Sequence, residues 1–215
     1  MRSRFDEQLD ILNKKMIEMS ALCEEMIAKS SQALLNGNLE LARQVVLDGE
    51  KIDQSEREIE GFCVKLLLQQ QPVAKDLRQI SAALKMVTDI ERIGDQAEDI
   101  AEIIPFLQEQ NMENFYLIHK MAKATIQMVN QSIDAFVKKD MELAENVISQ
   151  DDTVDGLFVR MKKLLINMIK ENPKKGEFAL DVLMISKYFE RIGDHAVNIA
   201  GWVIYSVTGE RWDEA

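Results

Sequence analysis

At 215 residues, with 47% hydrophobic and 29% charged positions, the chain suits one domain or two of about 100 residues each, with ample apolar material for a core. A formal net charge of −11 supplies no basic footprint for generic nucleic-acid binding and no attraction to an anionic membrane surface. Only three prolines and nine glycines stand among abundant Ala, Leu, Ile, Met, Glu, Lys and Gln, so an all-α protein is expected.

The first predicted helix runs from Phe5 to about Asn36, with Leu9, Leu12, Met16, Met19, Cys23, Met26, Ile27 and Leu34 recurring every three or four residues. Asn36-Gly37-Asn38 stops it and caps the next. The second runs from Leu39 to about Gln70, buries Leu41, Val45, Ile52, Ile59, Leu66 and Leu67, and ends at Gln71-Pro72. The third spans Val73 to about Ile104, with Pro105 marking its end or a kink. A polar link, Leu107 to Asn114, leads to helices at Phe115 to about Val137, Met141 to about Ile169 and Glu177 to about Val207. Lys139-Asp140 and Asn172-Pro173-Lys-Lys-Gly176 separate the last three.

The halves are copies of one another. Glu91-Arg-Ile-Gly-Asp95-Gln-Ala-Glu-Asp-Ile-Ala101 returns 99 residues later as Glu190-Arg-Ile-Gly-Asp194-His-Ala-Val-Asn-Ile-Ala200, with eight of eleven positions identical. A shift of 102 residues places Ala33 on Ala135, Glu40-Leu41-Ala42 on Glu142-Leu143-Ala144, Val45 on Val147 and Asp53 on Asp155. Two homologous antiparallel three-helix bundles are expected, residues 1–107 and 108–215.

Each copy carries two acidic pairs. Glu91 and Asp95, like Glu190 and Asp194, lie at i and i+4 on one helix face beside the apolar stripe. On the preceding helix Glu50 and Asp53 match Asp152 and Asp155 at i and i+3. Like charges so spaced oppose the helix by a few tenths of a kcal/mol unless something neutralises them. Two neutralisers suit: a hard cation such as Mg²⁺, Mn²⁺ or Ca²⁺, or iron, bound by converging carboxylates, or Arg92 and Arg191 in a structural ion-pair network across helices. Glu98 and Asp99 extend the first site, whereas the second has Val197 and Asn198 there. Gly94 and Gly193, mid-helix, allow close approach by another backbone or a ligand.

Other residues offer less. His195 points about 100° away from Asp194 and suits a partly exposed or interfacial position; His119 reads as surface, and the methionines as core filler. Trp202 and Trp212 are interface anchors or bundle packing. Cys23 and Cys63 lack zinc spacing and are expected to be reduced and buried. Phosphate-loop, dinucleotide, nucleophile-elbow and Glu-x-x-His patterns are absent from the sequence, so no catalytic constellation is visible. With no apolar leader at Met1 and no run of about 18 apolar residues, the chain is expected in the cytoplasm without direct membrane insertion.

The doubled acidic motifs, together with Pro72-Val-Ala-Lys-Asp-Leu-Arg78 and Asn198-Ile-Ala-Gly-Trp-Val-Ile-Tyr-Ser-Val-Thr-Gly-Glu210, closely resemble the PhoU family of bacterial phosphate-transport accessory proteins, over essentially the whole chain. The resemblance implies a homodimeric, non-catalytic cytoplasmic regulator that represses the phosphate-starvation response. It implies two partners, the ATPase of the phosphate ABC importer and a membrane sensor histidine kinase. It also implies divalent or trivalent metal ions (iron, Mg, Mn or Zn), with identity and occupancy left open, at Glu91, Asp95, Glu190 and Asp194. Glu50, Asp53, Asp152 and Asp155 are the neighbours, and Glu98, Asp99 and Glu102 are peripheral candidates. Gly201 departs from the family, which usually has a glutamate there, as Glu102 is in the first half; a ligand of the second site is in question. The alternatives are a carboxylate-bridged metalloenzyme and a purely structural scaffold.

Overall fold

The structure, a computed structural model, describes residues 2–70, 73–107 and 116–212. Among them are six long helices and no strand: α1 (Arg2–Asn36), α2 (Leu39–Gln70), α3 (Ala74–Ile103), α4 (Tyr116–Lys138), α5 (Met141–Glu171) and α6 (Gly176–Thr208). The expected break at Gln71-Pro72, most of the link after Leu107 and the start at Phe115 lie outside the described residues. Leu107 itself is no part of a polar link, because it ends a 3-10 turn, Ile104–Leu107, and is buried. Pro105 sits in that turn, so α3 stops at Ile103 rather than kinking.

The joints between first and second helix of each repeat are built alike. At the end of α1, Gly37 adopts φ +62°, and Asn38 then caps α2 by accepting from the Leu41 N–H at 3.1 Å. One repeat later Asp140 caps α5 by accepting from the Leu143 N–H at 3.0 Å. The position equivalent to Gly37 is Lys139, at φ 55°, a left-handed conformation that strains a residue with a Cβ.

Helices α1, α2 and α3 pack mutually, as do α4, α5 and α6, and the repeats join through α3 against α6 and α1 against α4. One continuous apolar core runs through both, with Leu12, Met16, Met26, Ile52, Ile90, Phe136 and Phe189 fully enclosed. Cys23 and Cys63 are buried free thiols; burial, then the nearby Glu60 charge, pushes Cys63 up to about 12. The α3–α6 seam is polar in places. Asp89 of α3 accepts from His195 Nδ1 at 2.9 Å and from the Asn198 amide at 3.1 Å, both on α6. Of the two roles open to it, partly exposed or interfacial, His195 thus takes a place at the interface between α3 and α6. The C-terminal segment folds back on the same side: Trp212 lies over Gly201, and Arg211 stacks 5.6 Å from the Trp202 ring.

Candidate metal centre

In the first repeat α2 and α3 bring together Asp53, Glu91 and Asp95, whose ligand-type oxygens all lie within 4.8 Å of one another. All three are half-buried. Ile52 holds the helices at this distance by packing into the notch at Gly94, where an added Cβ would stand 3.0 Å from its Cγ2. The close approach at Gly94 is therefore made by a neighbouring side chain, not by a backbone or a ligand. Glu50 stays exposed and outside the trio. Glu56, one turn beyond Asp53, adds its charge to the Glu91 environment and is hydrogen-bonded by Thr88.

The electrostatics are those of an undercompensated acidic site. Burial, with Asp95 next, raises the Glu91 carboxyl to about 7 against Arg92, while Glu56 and Asp53 push the same way. Glu98 is raised by burial and then by Glu102, Asp95 and Asp53. Asp99 is raised by burial and then by Glu102 and Asp95, against Arg191. Asp99 thus faces the α6 side of the seam, where burial and then the Asp99 charge push up the Tyr188 hydroxyl. Glu102 is exposed.

The arginines anticipated as alternative neutralisers act both within and across helices. Arg92 reaches Asp95 at 3.0 Å and Glu91 at 3.3 Å on its own helix and also acts on Glu56 of α2, while Arg191 of α6 acts on Asp99 of α3. The Arg92 guanidinium faces Glu91, Asp95 and, from α2, Glu56, while Arg57 pairs with Asp53 at 3.9 Å along α2. Glu91 Oε2 is buried, yet no described residue donates a hydrogen bond to it; Arg92 is near it without alignment.

The second repeat gathers its acids around a residue that the sequence reading passed over. Asp151 is raised to about 6 by burial and then by Asp194, Asp155, Glu190 and Asp152. Its Oδ1 is buried, with no described donor, and lies 3.1 Å from where a Cβ on Gly193 would stand. Glu190 is half-buried and paired with Lys187, while Asp194, Asp155 and Asp152 are exposed. Asp151 was findable as the repeat partner of Gly49, but nothing in the pattern said that its side chain turns inward. Gly201 is the seat of Trp212, beside Asp89 and Asn198.

The first repeat therefore brings three carboxylates close enough to share one ion, whereas among the described residues the second repeat assembles no such trio and offers looser acids around Asp151. Such a donor set fits a hard cation or a carboxylate-bridged iron centre. Fold and site define a class: a tandem three-helix-bundle protein with acidic residues gathered on the second and third helices of each repeat.

The comparisons with known proteins narrow the class. A family model described as PhoU domain matches twice, over residues 16–104 and 118–203. A phosphate-specific transport system accessory protein PhoU homolog from Clostridium acetobutylicum is 34% identical over 99% of this chain and 98% of its own. A counterpart of the same description from Aquifex aeolicus is 37% identical over 95% and 93%. The crystal structure of PhoU from Pseudomonas aeruginosa superposes with a TM-score of 0.91 at 34% identity, covering 96% of this chain and 100% of that one. The chain belongs to the PhoU family.

Proposed function

We propose that this protein is a non-catalytic regulatory accessory protein of a phosphate-specific transport system, working from the cytoplasm. The observation that carries the reading is full-length similarity, in sequence and fold, to proteins described as accessory or regulatory in phosphate transport. No helix among the described residues is long and apolar enough to cross a membrane, so contact with a transporter would be made through its protein components. The finer reading is a homodimer that links the ATPase of the phosphate ABC importer to a sensor histidine kinase and holds down the phosphate-starvation response. The test is co-purification of the tagged protein with the importer ATPase and the kinase from phosphate-replete cells. Failure to capture either partner with a folded bait would overturn it.

The acidic faces carry the second part of the proposal, cation binding. Asp53, Glu91, Asp95 and Glu98 would hold a cation in the first repeat, and Asp151, Asp155, Glu190 and Asp194 in the second. A bound cation would remove the repulsion that raises Glu91 and Asp151 and would clamp the second helix of each repeat to the third. The binding is tested by elemental analysis of protein purified without chelator. Asp95→Ala with Asp194→Ala should lower the bound metal, and unchanged stoichiometry would refute the assignment.

A further inference from the structure

The two ends of the α3–α6 seam correspond under the 99-residue shift, yet they carry different chemistry. At one end Tyr188 of α6 stands near Asp99 and Glu102 of α3, with Ile103 and Phe106 following along the chain. At the other end the counterparts are Asp89 of α3 and Asn198, Gly201, Trp202 and Tyr205 of α6, and they line a cavity of about 240 Å³. Trp202 and Tyr205 meet edge to face there, with ring centroids 5.8 Å apart. Both hydrogen bonds that Asp89 receives across the seam, from His195 and Asn198, fall on Oδ1. Among the described residues Oδ2 therefore keeps its accepting capacity for whatever enters.

The cover of this cavity is built by the chain itself. Helix α6 ends at Gly209, whose φ of +85° turns the backbone, and the Thr208 hydroxyl accepts from the Glu210 N–H at 3.1 Å. That turn lays Arg211 and Trp212 over the opening. Trp212 rests where a side chain at position 201 would stand. The Arg211 guanidinium lies 5.6 Å from the Trp202 centroid, within the range of a cation–π contact. Both covering residues stay exposed, whereas Trp202 and Tyr205 are half-buried, so the cover is the loosely held part and the wall is fixed.

We propose that this cavity is a docking site for an arginine side chain of a partner protein, and that Arg211 fills the guanidinium seat in cis until the incoming arginine displaces it. A guanidinium suits the lining because its planar face stacks on an indole while its N–H groups reach a carboxylate oxygen. The chain already places such a group on Trp202, which shows the chemistry that the wall accepts. A net charge of −11 favours the approach of a basic segment. The site goes beyond the transport and metal readings above and needs neither, since Asp89, Trp202 and Tyr205 have no part in the metal site they describe.

Intrinsic fluorescence tests it directly, because the chain's two tryptophans, Trp202 and Trp212, both line the cavity. The probe is N-acetylarginine amide, titrated into the whole chain in chelator at constant ionic strength. Its control is N-acetylcitrulline amide, which has nearly the same shape without the charge. The arginine probe should shift the emission saturably and the citrulline probe should not. Arg211→Ala should tighten binding of the arginine probe about two- to fivefold by removing the internal competitor. Asp89→Asn, added to Arg211→Ala, should weaken it again by a similar factor. No saturable shift in either wild type or Arg211→Ala, equal binding of the citrulline probe, or weaker binding after Arg211→Ala would each overturn the proposal. A folded Asp89→Asn variant that binds as tightly as its parent would also overturn it. Should that variant fail to fold by circular dichroism, Arg211→Ala and the citrulline comparison decide alone, because Arg211 lies in the exposed cover.

Discussion

Glu91→Gln removes the charge at the centre of the first cluster while keeping its shape, and it should stabilise the metal-free protein. Burial and the neighbouring acids raise this carboxyl from 4.5 to about 7. The native state thus holds a proton that the unfolded chain has released, and stability falls as pH rises between those values. Below about 4.5 both states are protonated and the penalty vanishes; above about 7 it is complete. Taken at face value the shift is worth roughly 3 kcal/mol at 1.36 kcal/mol per pH unit, and solvent screening of this half-exposed cluster reduces it to about 1–2 kcal/mol. For a chain of this length that is a rise in Tm of about 3–6 °C. Thermal unfolding in chelator at pH 8 should show that gain, and at pH 5, where wild-type Glu91 is largely neutral, almost none. Added Mn²⁺ should reverse the order, stabilising wild type more than the variant. Equal effects at both pH values, or destabilisation at pH 8, would refute the electrostatic account of the site.

Four further outcomes probe the frame around it. Lys139→Gly relieves a left-handed residue where the first repeat has glycine, and should add about 0.5–1 kcal/mol in urea unfolding. Gly61→Ala, where an added Cβ meets nothing within 4 Å, should stabilise α2 by about 0.5–1 kcal/mol. Gly94→Ala drives a Cβ to 3.0 Å from Ile52 Cγ2 and should instead cost about 1–3 kcal/mol while loosening the acidic trio. Gly201→Glu should eject Trp212 from its seat, giving a red-shifted tryptophan emission that Trp212→Phe protein lacks.

Helix number, order and most boundaries are local properties, and the sequence by itself determined them. The 3.6-residue spacing of Leu12, Met16, Met19, Cys23 and Met26 marks a buried face wherever the partner helix lies. The Gly37-Asn38 stop and cap follow from backbone sterics and one side-chain hydrogen bond, and they are seen at φ +62° and 3.1 Å. The duplication was equally legible, because repeats share residues at a fixed offset whatever their packing. From the doubled Glu-Arg-Ile-Gly-Asp alone, Glu91 and Asp95 already stood on one face.

Which acids meet across two helices was decided by tertiary structure. Asp53 joins Glu91 and Asp95, while Glu50, three residues away and equally acidic, stays in solvent. That difference follows from the height and rotation at which Ile52 seats α2 against Gly94, and neither quantity is written in either helix. Asp151 is the sharper instance. Between its neighbours it is one more acid in a polar run, and only the approach of α6 at Gly193 turns its carboxylate into the gap. Periodicity reports the face a residue occupies on its own helix; the cluster depends on what stands opposite, which only the packed pair supplies.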